Sequence, residues 1–156
     1  MTQPEVEILM ATYNGAAYIE DQIRSIQAQT FRNWKMVIHD DGSTDETITI
    51  VADFCKQDHR ITILSDEVKG LGAAGNFLHL LAHARADIVM LCDQDDIWFP
   101  DKIEKLLPSV SASSGPTLVY ANAHYFDKDG VIERQVTRLH PNALNSLLFM
   151  NAGIQG

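Results

Sequence analysis

At 156 residues and 46% apolar content, the chain has the size of one ordinary domain and enough apolar side chain to build a core, which excludes a disordered polymer. A formal net charge of −9, with no cluster of Lys and Arg, excludes binding to a nucleic-acid backbone. Cys55 and Cys92 have neither zinc-site nor disulfide-framework spacing and read as small buried residues in a reducing compartment. No leader pattern opens the sequence and no apolar run approaches the ~20 residues of a membrane span, so the expectation is a soluble, cytoplasmic chain without a transmembrane segment.

Val6 to Ala11 makes a first apolar strand, with Thr12-Tyr13-Asn14-Gly15 as its exit turn. A helix follows from about Ala17 to Gln29, in which Ile19, Ile23 and Ile26 recur at i, i+4 and i+7 and give one apolar face. Lys35 to His39 is the second strand, leaving through Asp40-Asp41-Gly42. Ser43 and Glu46 match a capping box, and Ile48, Val51, Ala52 and Cys55 supply the expected buried stripe of the helix behind it. Ile61 to Leu64 is a short third strand. Glycines between Gly70 and Gly75 then lead, through Asn76, into a helix with Phe77, Leu80, Leu81 and Ala84 at helical spacing.

Ile88 to Cys92 is the fourth strand, and it ends abruptly in Asp93, Asp95 and Asp96. Such an apolar run fits a strand buried on both faces inside a parallel sheet, so the acids belong at its carboxyl end. That edge is where open α/β sheets bind ligands, and mutually repelling carboxylates gathered there are explained by a divalent cation, with a solvated Asp-rich turn as the alternative. Pro100 falls where a proline in the first turn of a helix is expected, with Ile103, Leu106 and Leu107 on that helix's apolar side. Ser111 to Pro116 reads as a surface loop, Leu118 to Phe126 as a strand, and Asp127-Lys128-Asp129-Gly130 as a hairpin turn into Val131-Ile132. Strands alternating with helices predict right-handed crossovers and an α/β, mostly parallel sheet with helices on both faces, in a single domain over residues 1–156. The closing run Asn151 to Gly156 has no helix stop and no polar tail, and reads as cut short.

Tyr13, Asp41, Asp93 and Asp95 all fall after strands predicted to be parallel and can line one crevice. Tyr13 suits stacking on a flat heterocycle and Asp41 suits accepting the imide proton of uracil or thymine; a core-edge tyrosine and a turn former before Gly42 are the alternatives. The Gly70 to Gly75 run lacks GxGxxG spacing, so a plain loop is as good a reading as a phosphate cradle. His79 and His83, four apart, read as one helix face and not as a metal pair, because no third ligand stands nearby in the sequence.

Taken in order, Ala11-Thr12-Tyr13-Asn14, Asp40-Asp41-Gly42-Ser43-Thr44-Asp45 and Asp93-Gln94-Asp95-Asp96 closely resemble the motifs of family 2 glycosyltransferases of the GT-A fold. The form Cys-Asp-Gln-Asp-Asp-Ile-Trp is similar to that of bacterial rhamnosyltransferases of surface-polysaccharide synthesis. The resemblance implies an inverting transferase that moves a sugar from a nucleoside diphosphate, UDP- or dTDP-linked and dTDP-rhamnose among the candidates, to a saccharide or lipid-linked acceptor. It implies nucleotide binding by Ala11, Thr12, Tyr13, Asp41 and Asp93. Asp93 and Asp95 correspond to the DxD motif, with Asp95 the direct ligand of Mg²⁺ or Mn²⁺ and Asp93 near the ribose or sugar. Asp96 is either a third ligand or a cap of the following turn. Gly75 stands where many relatives carry a basic residue, which shifts neutralisation of the diphosphate toward the metal. The general base and the acceptor-binding part are expected beyond residue 156, and the full-length protein is expected at the cytoplasmic side, with peripheral contact at the inner face of the membrane. Two other readings are a Mg²⁺-dependent aspartate-nucleophile phosphatase and a non-catalytic nucleotide-binding module. The first strand of that phosphatase class carries an acid, and Met10-Ala11-Thr12-Tyr13 has none.

Overall fold

The computed structural model describes residues 5–112, 115–121, 124–127 and 130–135. The chain divides into two compact units, 1–114 and 115–156. In the first, β1 (Val6–Thr12), α1 (Ile19–Gln27), β2 (Trp34–Asp40), α2 (Thr47–Gln57), β3 (Ile61–Ile63), α3 (Gly72–His83), β4 (Ile88–Asp93) and α4 (Lys102–Ser111) follow one another. The four strands form one parallel sheet in the order β3-β2-β1-β4. The second unit contains an antiparallel hairpin of β5 (His124–Asp127) and β6 (Gly130–Gln135). The expected hairpin is therefore present, although its strand begins at His124 and residues 118–121 are not extended into a ladder. Lys128, Asp129 and the run from Asn151 to Gly156 lie outside the described residues.

Alternation along β1 builds both halves of the core. Val6, Ile8 and Met10 point to one face and pack with Met36 and Ile38 of β2, Ile19, Ile23 and Ile26 of α1, and Val51 and Phe54 of α2. Leu9 and Ala11 point to the other, against Leu80, Phe77 and Ala84 at α3. Helices thus cover both faces, as the strand-helix rhythm requires. Glu7, on the α3 side of β1, is buried and accepts the backbone N–H groups of Arg85 (2.6 Å) and Ala86 (3.0 Å), which fastens the loop leading into β4.

Four local expectations are corrected. β4 is not the interior strand: it pairs with β1 alone among the described residues, Ile88 to Met90 are half-buried, and Leu91 is 49% exposed. An apolar run records burial but not sheet position, and the central place belongs to β1. Ser43 and Glu46 do not form a capping box, since α2 starts at Thr47 without a side-chain cap and the Ser43 hydroxyl donates to Asp40 instead. The buried stripe of α2 is correspondingly Thr47, Val51 and Phe54, and Ile48 is exposed. Pro100 sits just ahead of the Asp101 cap of α4, while Pro108, inside that helix, leaves the carbonyl one turn back without its amide donor.

Placing β1 at the centre has a direct consequence for stability. Ile8→Ala should cost about 2–5 kcal/mol, as for large-to-small changes in a closed core. Leu91→Ala should cost about 1 kcal/mol or less. Urea denaturation midpoints at unchanged m-value check the difference; equal losses would mean that β4 is as enclosed as β1.

Candidate functional site

The register levels the carboxyl ends of three strands. Ala11 lies opposite His39 on one side and Asp93 on the other, and Thr12 lies opposite Asp40. The loops that leave β1, β2 and β4 therefore start at one edge, which is where the sequence-predicted Ala11, Thr12, Tyr13, Asp41, Asp93 and Asp95 are brought together. Tyr13 is exposed, Ala11 and Asp41 are buried, Asp93 is half-buried and Asp95 is exposed.

Asp40, which the sequence marked only as a turn residue, is the hub of this edge. Its carboxylate is 5% exposed, and its Oδ2 accepts the N–H groups of Gly42 (3.0 Å) and Ser43 (2.8 Å). Its Oδ1 accepts the hydroxyls of Ser43 (2.5 Å) and Thr12 (3.1 Å). Thr12 is thus turned inward and acts on the site through Asp40. Ser43 in turn accepts the N–H of Asn14 (2.8 Å), a residue held at φ 49°, while Asn14 Oδ1 accepts the N–H of Thr44 (2.8 Å). Gly15 N–H donates to Thr47 Oγ1 (2.8 Å) and Ala16 N–H to Asp45 Oδ2 (3.1 Å). The Thr-Tyr-Asn-Gly and Asp-Asp-Gly-Ser-Thr-Asp motifs are one hydrogen-bonded body. The Asp45 carboxyl is held below its ordinary range, chiefly by the Thr47 hydroxyl.

Gln94 ties the third loop to the first. Its Oε1 accepts the N–H of Tyr13 (2.9 Å) and its Nε2 donates to the Tyr13 carbonyl (3.0 Å), so the side-chain amide prolongs the β1–β4 ladder beyond Asp93. A Cβ on Gly15 would stand 2.2 Å from Gln94 Oε1, so the loop admits no side chain there while the bridge is closed.

Asp41 fastens a fourth segment. Its Oδ1 and Oδ2 accept the N–H groups of Leu71 and Gly72 (2.8 Å each), and its carbonyl accepts that of Gly70 (3.3 Å). Gly70 and Gly72 take the left-handed φ values of 73° and 68° that let consecutive amides turn toward one carboxylate. The negative charge stands at the N-terminus of α3, where the helix dipole favours it. The glycine run is therefore a collar around Asp41.

At the end of β4 the acids are not drawn to one point: among the described residues, the group of three potential ligands that converges is His39, Asp66 and His79. Asp96 is pushed up from the ordinary carboxylate range by desolvation and by Asp95, against the pull of Lys102. Desolvation lowers Lys102, which lies 4.0 Å from the Trp98 ring, with Cys92, Asp96 and Asp93 opposing that shift. The donor set of Asp93 and Asp95, oxygen-only and reaching from half-buried to exposed, fits a hard divalent cation. His79, read from sequence as part of a helix face without a third ligand, meets Asp66 through Nε2 at 2.7 Å, and Asp66 meets His39 Nε2 at 3.2 Å. The Asp66 carboxyl is held down at about 2, chiefly by the His79 hydrogen bond.

Residues 7–149 match the model of glycosyl transferase family 2. The chain belongs to that family. It is 31% identical over 150 residues to an Escherichia coli protein, UDP-Glc:alpha-D-GlcNAc-diphosphoundecaprenol beta-1,3-glucosyltransferase WfgD, covering 96% of this chain and 56% of WfgD. It is 35% identical over 124 residues to the dTDP-rhamnosyl transferase RfbG of Shigella flexneri, covering 77% of this chain and 40% of RfbG. Among solved structures, the mannosyltransferase PcManGT of Pyrobaculum calidifontis, in complex with GDP-Man and Mn²⁺, superposes with a TM-score of 0.65 at 25% identity over 72% of this chain and 34% of that protein. The parallel sheet is thus that of the GT-A glycosyltransferases. The chain spans about half the length of the curated relatives it matches.

Three substitutions separate the roles of these loops. Gly15→Ala should leave the core intact but open the Gln94 bridge, at about 1–3 kcal/mol for two lost hydrogen bonds; denaturation of Gly15→Ala, Gln94→Ala and the double variant should show the two changes to be non-additive. Asp41→Asn replaces one acceptor with a donor facing a backbone N–H. It should cost about 1–3 kcal/mol and accelerate amide exchange at Leu71 and Gly72 above that at β1, which hydrogen-exchange measurements resolve.

Proposed function

We propose that this chain is the nucleotide-sugar-binding part of an inverting glycosyltransferase that uses a UDP- or dTDP-linked sugar as donor and a saccharide or lipid-linked saccharide as acceptor. The observation that supports the reading most is the shared sheet edge from which an exposed aromatic ring, a buried carboxylate and two further acids arise: Tyr13, Asp41, and Asp93 with Asp95. Tyr13 offers its face to the nucleobase. Asp41, whose oxygens each retain a lone pair after accepting from Leu71 and Gly72, takes the imide N–H of uracil or thymine. Ala11, small and next to Asp93 in the ladder, leaves room for the base and ribose.

Asp95, with Asp93, would hold Mg²⁺ or Mn²⁺, and such an ion supplies the positive charge that a diphosphate leaving group needs. The chain's own part is to hold the donor with C1 of the sugar open to in-line attack by an acceptor hydroxyl, whose proton goes to a general base. Tyr13, Asp41, Asp93 and Asp95 are all assigned to donor and cation, so that base is another residue. The names of WfgD and RfbG, a UDP-Glc and a dTDP-rhamnosyl transferase, support the pyrimidine-linked donor, and a cytoplasmic site at the inner face of the membrane accords with the diphosphoundecaprenol acceptor in the name of WfgD.

Calorimetric titration tests this directly. With Mn²⁺ present, UDP and dTDP should bind more tightly than GDP. Asp95→Asn should weaken metal-dependent binding by about tenfold or more, equivalent to ~1.4 kcal/mol or above, with the fold retained. Equal affinity for all nucleotides, or indifference to both EDTA and Asp95→Asn, would overturn the reading.

A further inference from the structure

The group formed by His39, Asp66 and His79 stands apart from the residues assigned above to the donor. His39 precedes Asp40 on β2, with its ring 2% exposed. Asn76 of α3 donates from Nδ2 to the His39 carbonyl (3.1 Å), and this turns Asn76 Oδ1 onto His39 Nδ1 at 2.7 Å. An amide oxygen only accepts, so Nδ1 carries the proton of the neutral ring and Nε2 keeps its lone pair. That lone pair faces Asp66 Oδ1 at 3.2 Å. A buried lone pair against a carboxylate is repulsive unless positive charge lies between them. His79, one turn beyond Asn76 on α3, brings a second imidazole Nε2 to the other oxygen of the same carboxylate, at 2.7 Å.

We propose that His39 Nε2, His79 Nε2 and the Asp66 carboxylate form a site for a transition-metal ion of the Zn²⁺ class, separate from Asp93 and Asp95. Two imidazoles and a carboxylate suit Zn²⁺, Co²⁺ or Ni²⁺ better than the hard ions that an all-oxygen set selects. Bonds of about 2.0–2.2 Å to three such atoms place the ligands roughly 3–3.5 Å apart. The candidate ligand atoms here all lie within 4.8 Å of one another, so closing the set asks for side-chain shifts of about an ångström. The Asn76 amide oxygen accepts the outward N–H of a ligating imidazole, the arrangement that fixes tautomer and ring orientation at metal sites. His79 and Asp66 are partly exposed, which leaves an approach for the ion and a position for water. His83 stacks on His79 but commits its Nδ1 to the His79 carbonyl (2.8 Å).

The ion would join β2, the β3–α3 loop and α3, three segments otherwise linked there by hydrogen bonds. The same loop carries the amides of Gly70, Leu71 and Gly72 that encircle Asp41, so occupancy should stiffen that collar.

Metal-free chain titrated with Co²⁺, without nucleotide, should develop the visible absorption of a nitrogen-coordinated ion, and Zn²⁺ should displace it and raise the apparent melting temperature. His79→Gln and Asp66→Asn, at partly exposed positions, should each lower Zn²⁺ affinity by about tenfold or more in competition with a chromogenic chelator. Asp95→Asn should leave it unchanged. Absence of Zn²⁺ binding in the unaltered chain would mean that a proton alone bridges His39 and Asp66, and would overturn the proposal. So would binding that survives His79→Gln and Asp66→Asn but is lost in Asp95→Asn.

Discussion

Parallel pairing on both sides of β1 is the constraint on which the site depends. Ala11 and Thr12 can touch the loops of β2 and β4 because β1 pairs with those strands in registers that end almost together. A parallel sheet also directs every exit loop to the same edge. The polar motifs then need no long-range search: Thr12, Asn14 and Gly15 meet Asp40, Ser43 and Thr47 as neighbours across one strand spacing. Core packing of Ile8, Met10 and Ile38 on one face and Leu9 on the other secures those registers, since a slip by one residue would exchange the two faces.

The electrostatics of the edge follow from how each carboxylate is satisfied. Asp40 and Asp41 sit side by side and buried, yet each accepts backbone N–H groups on both oxygens or their equivalent, and Lys69 Nζ stands 3.9 Å from Asp40. Most of their hydrogen-bonding capacity is met by the protein's own amides and hydroxyls. Asp95 differs, being exposed beside Asp96 at the end of β4, where Lys102 is the cation that faces Asp96 and Asp93. On the proposed reading, the anionic part of a nucleotide sugar would need a cation beside these acids, and the base would lie near the amides arranged around Asp41.

Much of this was legible in the sequence because it is periodic or abrupt. Isoleucines at 19, 23 and 26 are all fully buried on α1, and the sudden passage from Cys92 to Asp93 does mark the carboxyl end of a strand. What escaped reading involves competition or distance. Ser43 and Glu46 satisfy a local capping pattern, but Asp40, three residues earlier, offers the Ser43 hydroxyl a charged acceptor and wins it. The apolar run of β4 could not disclose that β1 would take the middle of the sheet. His39 on β2, Asp66 in the β3–α3 loop and the Asn76–His79 turn of α3 come from three segments, so no single spacing rule connects the set. The hub role of Asp40 had a signal, an acid followed by Gly and Ser, which is the signature of a side chain closing its own turn.

Glu7 and Gln94 together give β4 an unusual property. At the lower end the Glu7 carboxylate grips the amides of Arg85 and Ala86 just before the strand begins, and at the upper end the Gln94 amide grips Tyr13 just after it finishes. Both anchor points belong to β1 or its exit turn. A strand pinned at each end to the same neighbour behaves as a ruler of set length: it cannot slide to relieve crowding, and an insertion within it must bulge sideways. The position of Asp93 at the end of β4, and of Asp95 just beyond it, is consequently measured from the opposite edge of the sheet, so a change at Glu7, near the other end of β1, would be felt as a displacement of the acids.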